Sequence, residues 1–120
     1  MNPKWEINGQ CLELDLDNAD VMERYENAFE LMGEEENNIP RDGRFSDQIR
    51  AYCKLFRDLF DRIFGEGASE KIFSGIPLSI SAYDEVYISF LNFVKGQITA
   101  SLKAQTDRLA KYAPKVNKKK

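Results

Sequence analysis

The stretch Phe45-Ser46-Asp47-Gln48-Ile49-Arg50-Ala51-Tyr52-Cys53-Lys54-Leu55-Phe56-Arg57-Asp58-Leu59-Phe60-Asp61-Arg62-Ile63-Phe64 decides how this chain folds. Its apolar positions, Ile49, Tyr52, Cys53, Leu55, Phe56, Leu59, Phe60, Ile63 and Phe64, recur at spacings of three and four, the period of an α-helix. The stripe is wide, so a helix over 46–64 is expected to form the centre of the core. Lys54 with Asp58 and Arg57 with Asp61 stand four apart and read as surface pairs stabilising by about 0.2–0.5 kcal/mol each. Gly65 is the expected left-handed C-cap.

Toward the N-terminus, Ile39-Pro40-Arg41-Asp42-Gly43-Arg44 reads as a loop. Before it, Val21, Met22, Tyr25, Ala28, Phe29 and Met32 share one face of an expected helix over 18–36, with Glu23, Glu26, Glu30 and Glu34 opposite. Asp17 and Asn18 are its candidate N-caps. The acids of Glu34-Glu35-Glu36 oppose the helix dipole, so fraying is expected there. Further upstream, Trp5 and Ile7 alternate with polar residues, as do Leu12, Leu14 and Leu16. Asn8-Gly9 between these runs marks a hairpin of strands 4–8 and 10–16, because both turn residues tolerate positive φ. A lone hairpin is marginal in water, so its apolar face must pack against helices or another chain.

Toward the C-terminus, 68–73 reads as a short helix. An extended connector over 74–80 follows, whose apolar residues are expected to plug the end of the core. Ser81 with Asp84 and Glu85 reads as a capping box. From there a helix is expected to run to Tyr112, before Pro114, with a possible kink at Gly96. Its first half is rich in apolar residues. Its second half narrows to Ile98, Leu102, Leu109 and Tyr112, with Gln105 on the same seam; taken with Leu91 and Val94, the spacing alternates between three and four and suits a coiled-coil contact. The expected fold is therefore mainly α: an N-terminal β-hairpin, three main helices and one short one, ending in a long helix. A single domain over 1–114 and a disordered basic tail over 115–120 are expected.

Composition narrows the chemistry. The 120 residues hold no His and two Cys, with 17 Lys+Arg against 20 Asp+Glu. Without His there is no Ser–His or Cys–His pair, and metal sites lose their commonest nitrogen ligand. Cys11 and Cys53 form no CxxC motif and are read as two mostly buried thiols in a reducing cytoplasm. Glu34-Glu35-Glu36 lacks the pattern of a calcium loop, and Gly65-Glu66-Gly67-Ala68 lacks the Lys and Ser or Thr of a phosphate loop. The aromatics Tyr52, Phe56, Phe60, Phe64, Tyr83, Tyr87, Phe90 and Phe93 read as core before they read as a ligand pocket. Neither a catalytic residue nor a metal or cofactor ligand is assigned. The opening residues lack the apolar core of a secretory signal, and no stretch is long and apolar enough for a membrane span.

Charge is split along the chain. Residues 1–47 hold 13 acids and 4 bases, whereas 95–120 hold 8 bases and only Asp107 as an acid. Such a split favours docking between acidic and basic faces, within one chain or between copies. Nucleic acid is not the expected partner, because the whole chain is acidic and carries no recognised binding motif. The seam through Ile98, Leu102, Leu109 and Tyr112 is instead the candidate partner-binding surface, since an extended half-helix with a thin apolar stripe meets a partner or a second copy.

Ile7-Asn8-Gly9 with Leu12-Glu13-Leu14-Asp15, and the run Asp58-Leu59-Phe60-Asp61-Arg62-Ile63-Phe64-Gly65-Glu66-Gly67-Ala68-Ser69-Glu70-Lys71-Ile72-Phe73, resemble small proteins encoded among the tail genes of phages and prophages of Gram-positive bacteria. That group is similar to tail assembly chaperones. The resemblance implies no catalytic residues. It implies self-association, binding to the helical tape measure protein, and a place in the cytoplasm of the bacterial host. The alternative expectation is a phage-encoded inhibitor or regulator that binds a host protein.

Overall fold

The computed structural model describes residues 3–112, with side chains through Ala110. Strands β1 (Lys4–Ile7) and β2 (Gln10–Glu13) form an antiparallel hairpin. Helices α1 (Ala19–Asn37), α2 (Phe45–Phe64), α3 (Ala68–Ile72) and α4 (Ile80–Tyr112) follow. The fold is mainly α with an N-terminal hairpin and a long last helix, as the periodicities imply. The expected tail over 115–120 lies outside the described residues.

The hairpin turn is Asn8-Gly9, with φ of 51° and 74°. Both signs are those a two-residue turn needs to match strand twist. Trp5 pairs with Leu12 and Ile7 with Gln10, so Trp5, Ile7, Leu12 and Leu14 share the inner face. The second strand is shorter than its alternation suggests. The Leu14 N–H still donates to the Pro3 carbonyl at 3.0 Å, but Asp15 then takes the chain out of the ladder. Its backbone carbonyl accepts from Asn18 N–H and its side chain from Asp17 N–H. The chain thereby turns into α1, and Leu14 and Leu16 remain buried without being paired strand residues.

Asn18 caps α1, its Oδ1 accepting from Asp20 N–H at 2.9 Å and Val21 N–H at 3.2 Å. α1 continues to Asn37 through the segment expected to fray. Arg62 of α2 holds Glu35 there in a two-toothed ion pair, Nη1–Oε1 3.0 Å and Nη2–Oε2 2.6 Å. Glu34 and Glu36 stay exposed.

α2 is the centre of the core. Cys53, Leu55, Phe56, Leu59, Phe60 and Ile63 are all buried. Trp5 lies over its C-terminal half, with ring centroids 5.5 Å from Phe60 and 5.9 Å from Phe64, and meets Phe90 of α4 edge-on at 5.1 Å. Its indole N–H donates to Ser89 Oγ at 3.1 Å. The aromatic cluster therefore welds the hairpin to α2 and α4.

Three local readings are corrected. Arg57 does not pair with Asp61: it donates to the Tyr83 hydroxyl at 2.9 Å. Asp61 instead accepts from Ser69 N–H at 2.8 Å and Ser69 Oγ at 3.1 Å, capping α3, whose short first turn leaves those donors without a helical partner. Gly65 closes α2 with positive φ but extended ψ (113°, 158°), so it is not left-handed helical; that conformation is Gly67's (91°, −10°). The N-cap of α4 is Ser79, not Ser81, since Ser79 Oγ accepts from Ala82 N–H at 3.2 Å. In the connector, Ile76 packs on the core as expected, whereas Leu78 and Ile80 are exposed.

α4 is continuous through Gly96. Its first half is anchored by buried Tyr83, Val86, Phe90 and Val94, and Phe73 stacks on Tyr83 at 3.9 Å. Beyond Ser101 it leaves the body. The radius of gyration is 18.3 Å, against about 13–14 Å for a compact chain of this length. The extents of 63 × 31 × 23 Å show the cause, an arm that lengthens one axis.

Candidate functional site

The arm begins where α4 makes its last side-chain bonds to the body. Gln97 Oε1 accepts from Leu16 N–H, and Ser101 Oγ donates to Asp17 Oδ1 at 2.6 Å. Both contacts hold the turn between β2 and α1 against the middle of α4. From Leu102 onward roughly 16 Å of helix extends past this anchor.

The sequence-derived seam divides at that point. Ile98 is half-buried and packs on the edge of the core. Leu102 is 58% exposed and Leu109 70% exposed, so neither belongs to the core. The Tyr112 side chain lies outside the described residues. Ile98 thus serves body and surface together, whereas Leu102 and Leu109 lie outside the core.

The seam does not take in Val94, which is buried; from Leu91 it runs back to Ile88 instead. Ile88, half-exposed, stands two heptads before Leu102 and three before Leu109. Leu91 stands one heptad before Ile98, and Gln105 one after it. Ile88, Leu91, Lys95, Ile98, Leu102, Gln105, Leu109 and Tyr112 therefore alternate at spacings of three and four over about three and a half heptads. The signal was present at Ile88. Crowding of apolar residues in the first half of the helix hid it, because Tyr83, Val86, Phe90 and Val94 mark a different face.

A cleft of ≈ 280 Å³ runs beside the stripe, between α4 and the start of α1. Leu16, Met22, Ile98 and Leu102 give it apolar walls, and Asp17 and Gln97 give it a polar end. Gln97 Nε2 is buried with no hydrogen-bond partner, a donor left unsatisfied at the cleft wall. On the face of α1 opposite Met22, Glu23, Glu26, Glu30 and Glu34 are exposed. The arm carries Lys103 and Arg108 against Asp107, with Lys103 Nζ 3.4 Å from Asp107.

The titratable groups with displaced pKa all move away from neutrality. The Arg62 hydrogen bonds hold Glu35 below the usual carboxylate range, and Glu35 raises Arg62 in return. Hydrogen bonding to Asp58 raises Lys54. Burial raises Tyr25, Tyr87 and the Cys53 thiol. These are the shifts of structural pairing and packing; a poised acid or base has a pKa drawn toward the working pH.

Cys53 is buried as expected, but Cys11 is exposed. The cause is strand parity. Cys11 pairs with Glu6 on the outer face, opposite the Trp5–Leu12 face. The two thiols are both free. Among the described residues no group of three or more His, Cys, Asp or Glu side chains gathers as a metal site. None of their helices is long and apolar enough to cross a membrane.

The geometry defines a class: a mainly helical protein with an aromatic core and one long helix whose free half presents a heptad stripe. Residues 8–120 match the family of unknown function DUF6673, and the chain belongs to that family. No curated protein and no solved structure matches it.

Proposed function

We propose that this protein is a non-enzymatic assembly factor that self-associates and takes up a helical protein client on the α4 stripe, in the manner of a phage tail assembly chaperone acting on the tape measure protein. The carrying observation is the exposure of Leu102 and Leu109 on a helix that leaves the body. An apolar stripe of this kind, flanked by polar residues, is the complement of an amphipathic helix. The basic arm and the acidic face of α1 supply the charge that orients a partner. The displaced pKa values and the resemblance of the hairpin and the Asp58–Phe73 run agree with this reading.

The test is co-expression of the chain with the tape measure protein from the same phage genome, followed by capture and light scattering. A stable complex that is lost in Leu102→Asp/Leu109→Asp is the expected result. A folded, discrete protein that ignores the tape measure protein and captures one host protein instead would place it among host-directed regulators.

A further inference from the structure

We infer that two copies of this chain join through the free edge of β1, antiparallel about Trp5, into one continuous sheet in which Lys4 of each copy faces Glu6 of the other. This edge serves the self-association in the reading above, on which the inference rests, and it leaves the α4 stripe to the client.

The free edge follows from the parity of the hairpin. The Leu14 N–H donates to the Pro3 carbonyl, so Pro3, Trp5 and Ile7 are the residues of this strand whose main-chain groups face β2. The N–H and C=O groups of Lys4 and Glu6 point the other way. Among the described residues nothing bonds to them. Both side chains are exposed on the outer face. α4 meets β1 from the inner face, through the Trp5 indole on Ser89 and Phe90. An open cleft of ≈ 420 Å³ lies past the end of the strand, between Ile7, Pro77 and Val86. An uncovered edge of this kind is a template for another strand. Pro3 does not spoil it, because its missing N–H faces β2.

Parity and charge then fix the register. Odd offsets set an inner-face residue against an outer-face one, which the pleat forbids. Of the remaining antiparallel registers, centring on Lys4 sets Lys4 against itself, and centring on Glu6 sets Glu6 against itself. Centring on Trp5 sets Lys4 against Glu6 twice, with the main-chain bonds exchanged in both pairs. Lys4 already stands opposite Glu13 in the hairpin, so across the joined sheet each Lys4 lies between two carboxylates. The edge of β2 has no such register, since it offers Cys11 and Glu13 and no cation. These charges argue for a second copy as the occupant: a two-fold strand pair needs opposite charges two residues apart on one edge, and β1 has them. The contact is isologous and closes at two copies. A lone hairpin is marginal in water, and the joined sheet gives it the further strands it lacks.

Sedimentation of the purified chain at up to millimolar concentration should show a species of twice 13.8 kDa. Lys4→Glu alone and Glu6→Lys alone each set like charges across the seam, and each should weaken the pairing about tenfold or more. Mixing the two variants sets opposite charges across the seam again and should restore the pairing, as should both exchanges in one chain. Glu6→Pro removes an N–H that only a second strand would use, so it should abolish the pairing while circular dichroism stays wild-type. If Glu6→Pro does not fold, the mixture of the two charge variants decides by itself. A single-chain mass at every concentration overturns the inference. So does a dimer that the single reversals leave intact, or one that the mixture fails to restore. A single chain that still captures the tape measure protein defeats this inference alone; a dimer that obeys the charge exchange and captures nothing defeats the client reading alone.

Discussion

The Ser101 hydroxyl donates to the Asp17 carboxylate at 2.6 Å, and this contact marks where α4 stops belonging to the body. Before it, Val94 and Phe90 are buried; after it, Leu102 and Leu109 are exposed. One helix therefore does two jobs in sequence, core element and then arm.

That division predicts opposite outcomes for apolar substitutions along α4. Leu102→Asp and Leu109→Asp should change unfolding free energy by no more than about 0.5 kcal/mol, as exposed sites do, while abolishing partner binding. Phe90→Ala should cost about 3–5 kcal/mol through the cavity it leaves. Urea unfolding of the three variants beside a capture assay checks this. Loss of soluble expression in Leu109→Asp would place that residue in the core.

Trp5→Ala should destabilise by about 3–5 kcal/mol, since it removes a buried indole packed on Phe60, Phe64 and Phe90 and frees the hairpin from α2. Trp5→Phe keeps much of the packing but leaves Ser89 without the indole donor, at about 1 kcal/mol or more. Thermal unfolding ranks the two.

The Arg62–Glu35 pair gives a pH dependence of known sign. Its carboxylate pKa lies below the ordinary 4.5 in the folded state, chiefly through the Arg62 hydrogen bonds. The stabilisation is thus present above pH 4.5 and is lost as pH falls through the lowered folded value. The pair is partly exposed, so its worth is about 1 kcal/mol or less. Glu35→Gln should flatten the acid limb of stability against pH and leave stability at pH 7 lower by that amount. An unchanged acid limb would show that the pair contributes nothing.

Glycine positions separate turn from helix. Gly9 has φ +74° in the hairpin turn, so Gly9→Ala should destabilise by about 1 kcal/mol. Gly96 lies inside α4, and a Cβ there meets nothing within 4 Å, so Gly96→Ala should stabilise by about 0.5–1 kcal/mol. The same measurement serves both, and equal signs would contradict the assignment.

Thiol labelling gives a direct reading of strand parity. Cys11 should react with a thiol reagent in the native protein, whereas Cys53 should react only on unfolding.

Much of this architecture is legible in the amino-acid order because it rests on period. The stripe of α2 and the Asn8-Gly9 turn between alternating runs state helix and hairpin without tertiary help. What escapes is decided by where a polar side chain finds its partner. Asp61 stands four from Arg57, yet the orphan N–H of Ser69 takes it, and Arg57 goes to Tyr83. Likewise Ser79, not Ser81, caps α4, because the helix starts two residues earlier than a Ser81 cap implies. At the candidate site, spacing disclosed Ile98, Leu102 and Leu109. Ile88 joined them only once the body showed which face of α4 it covers. The cleft beside α1 was invisible, since it forms between segments eighty residues apart.

Hydrogen exchange across residues 102–112, with and without the tape measure protein, tests the central claim most directly. Protection of the Leu102–Leu109 amides that appears with the client, and fails to appear in Leu102→Asp/Leu109→Asp, is the predicted result. Exchange in this segment that is the same with and without a bound client would contradict the account, because the client would then lie elsewhere.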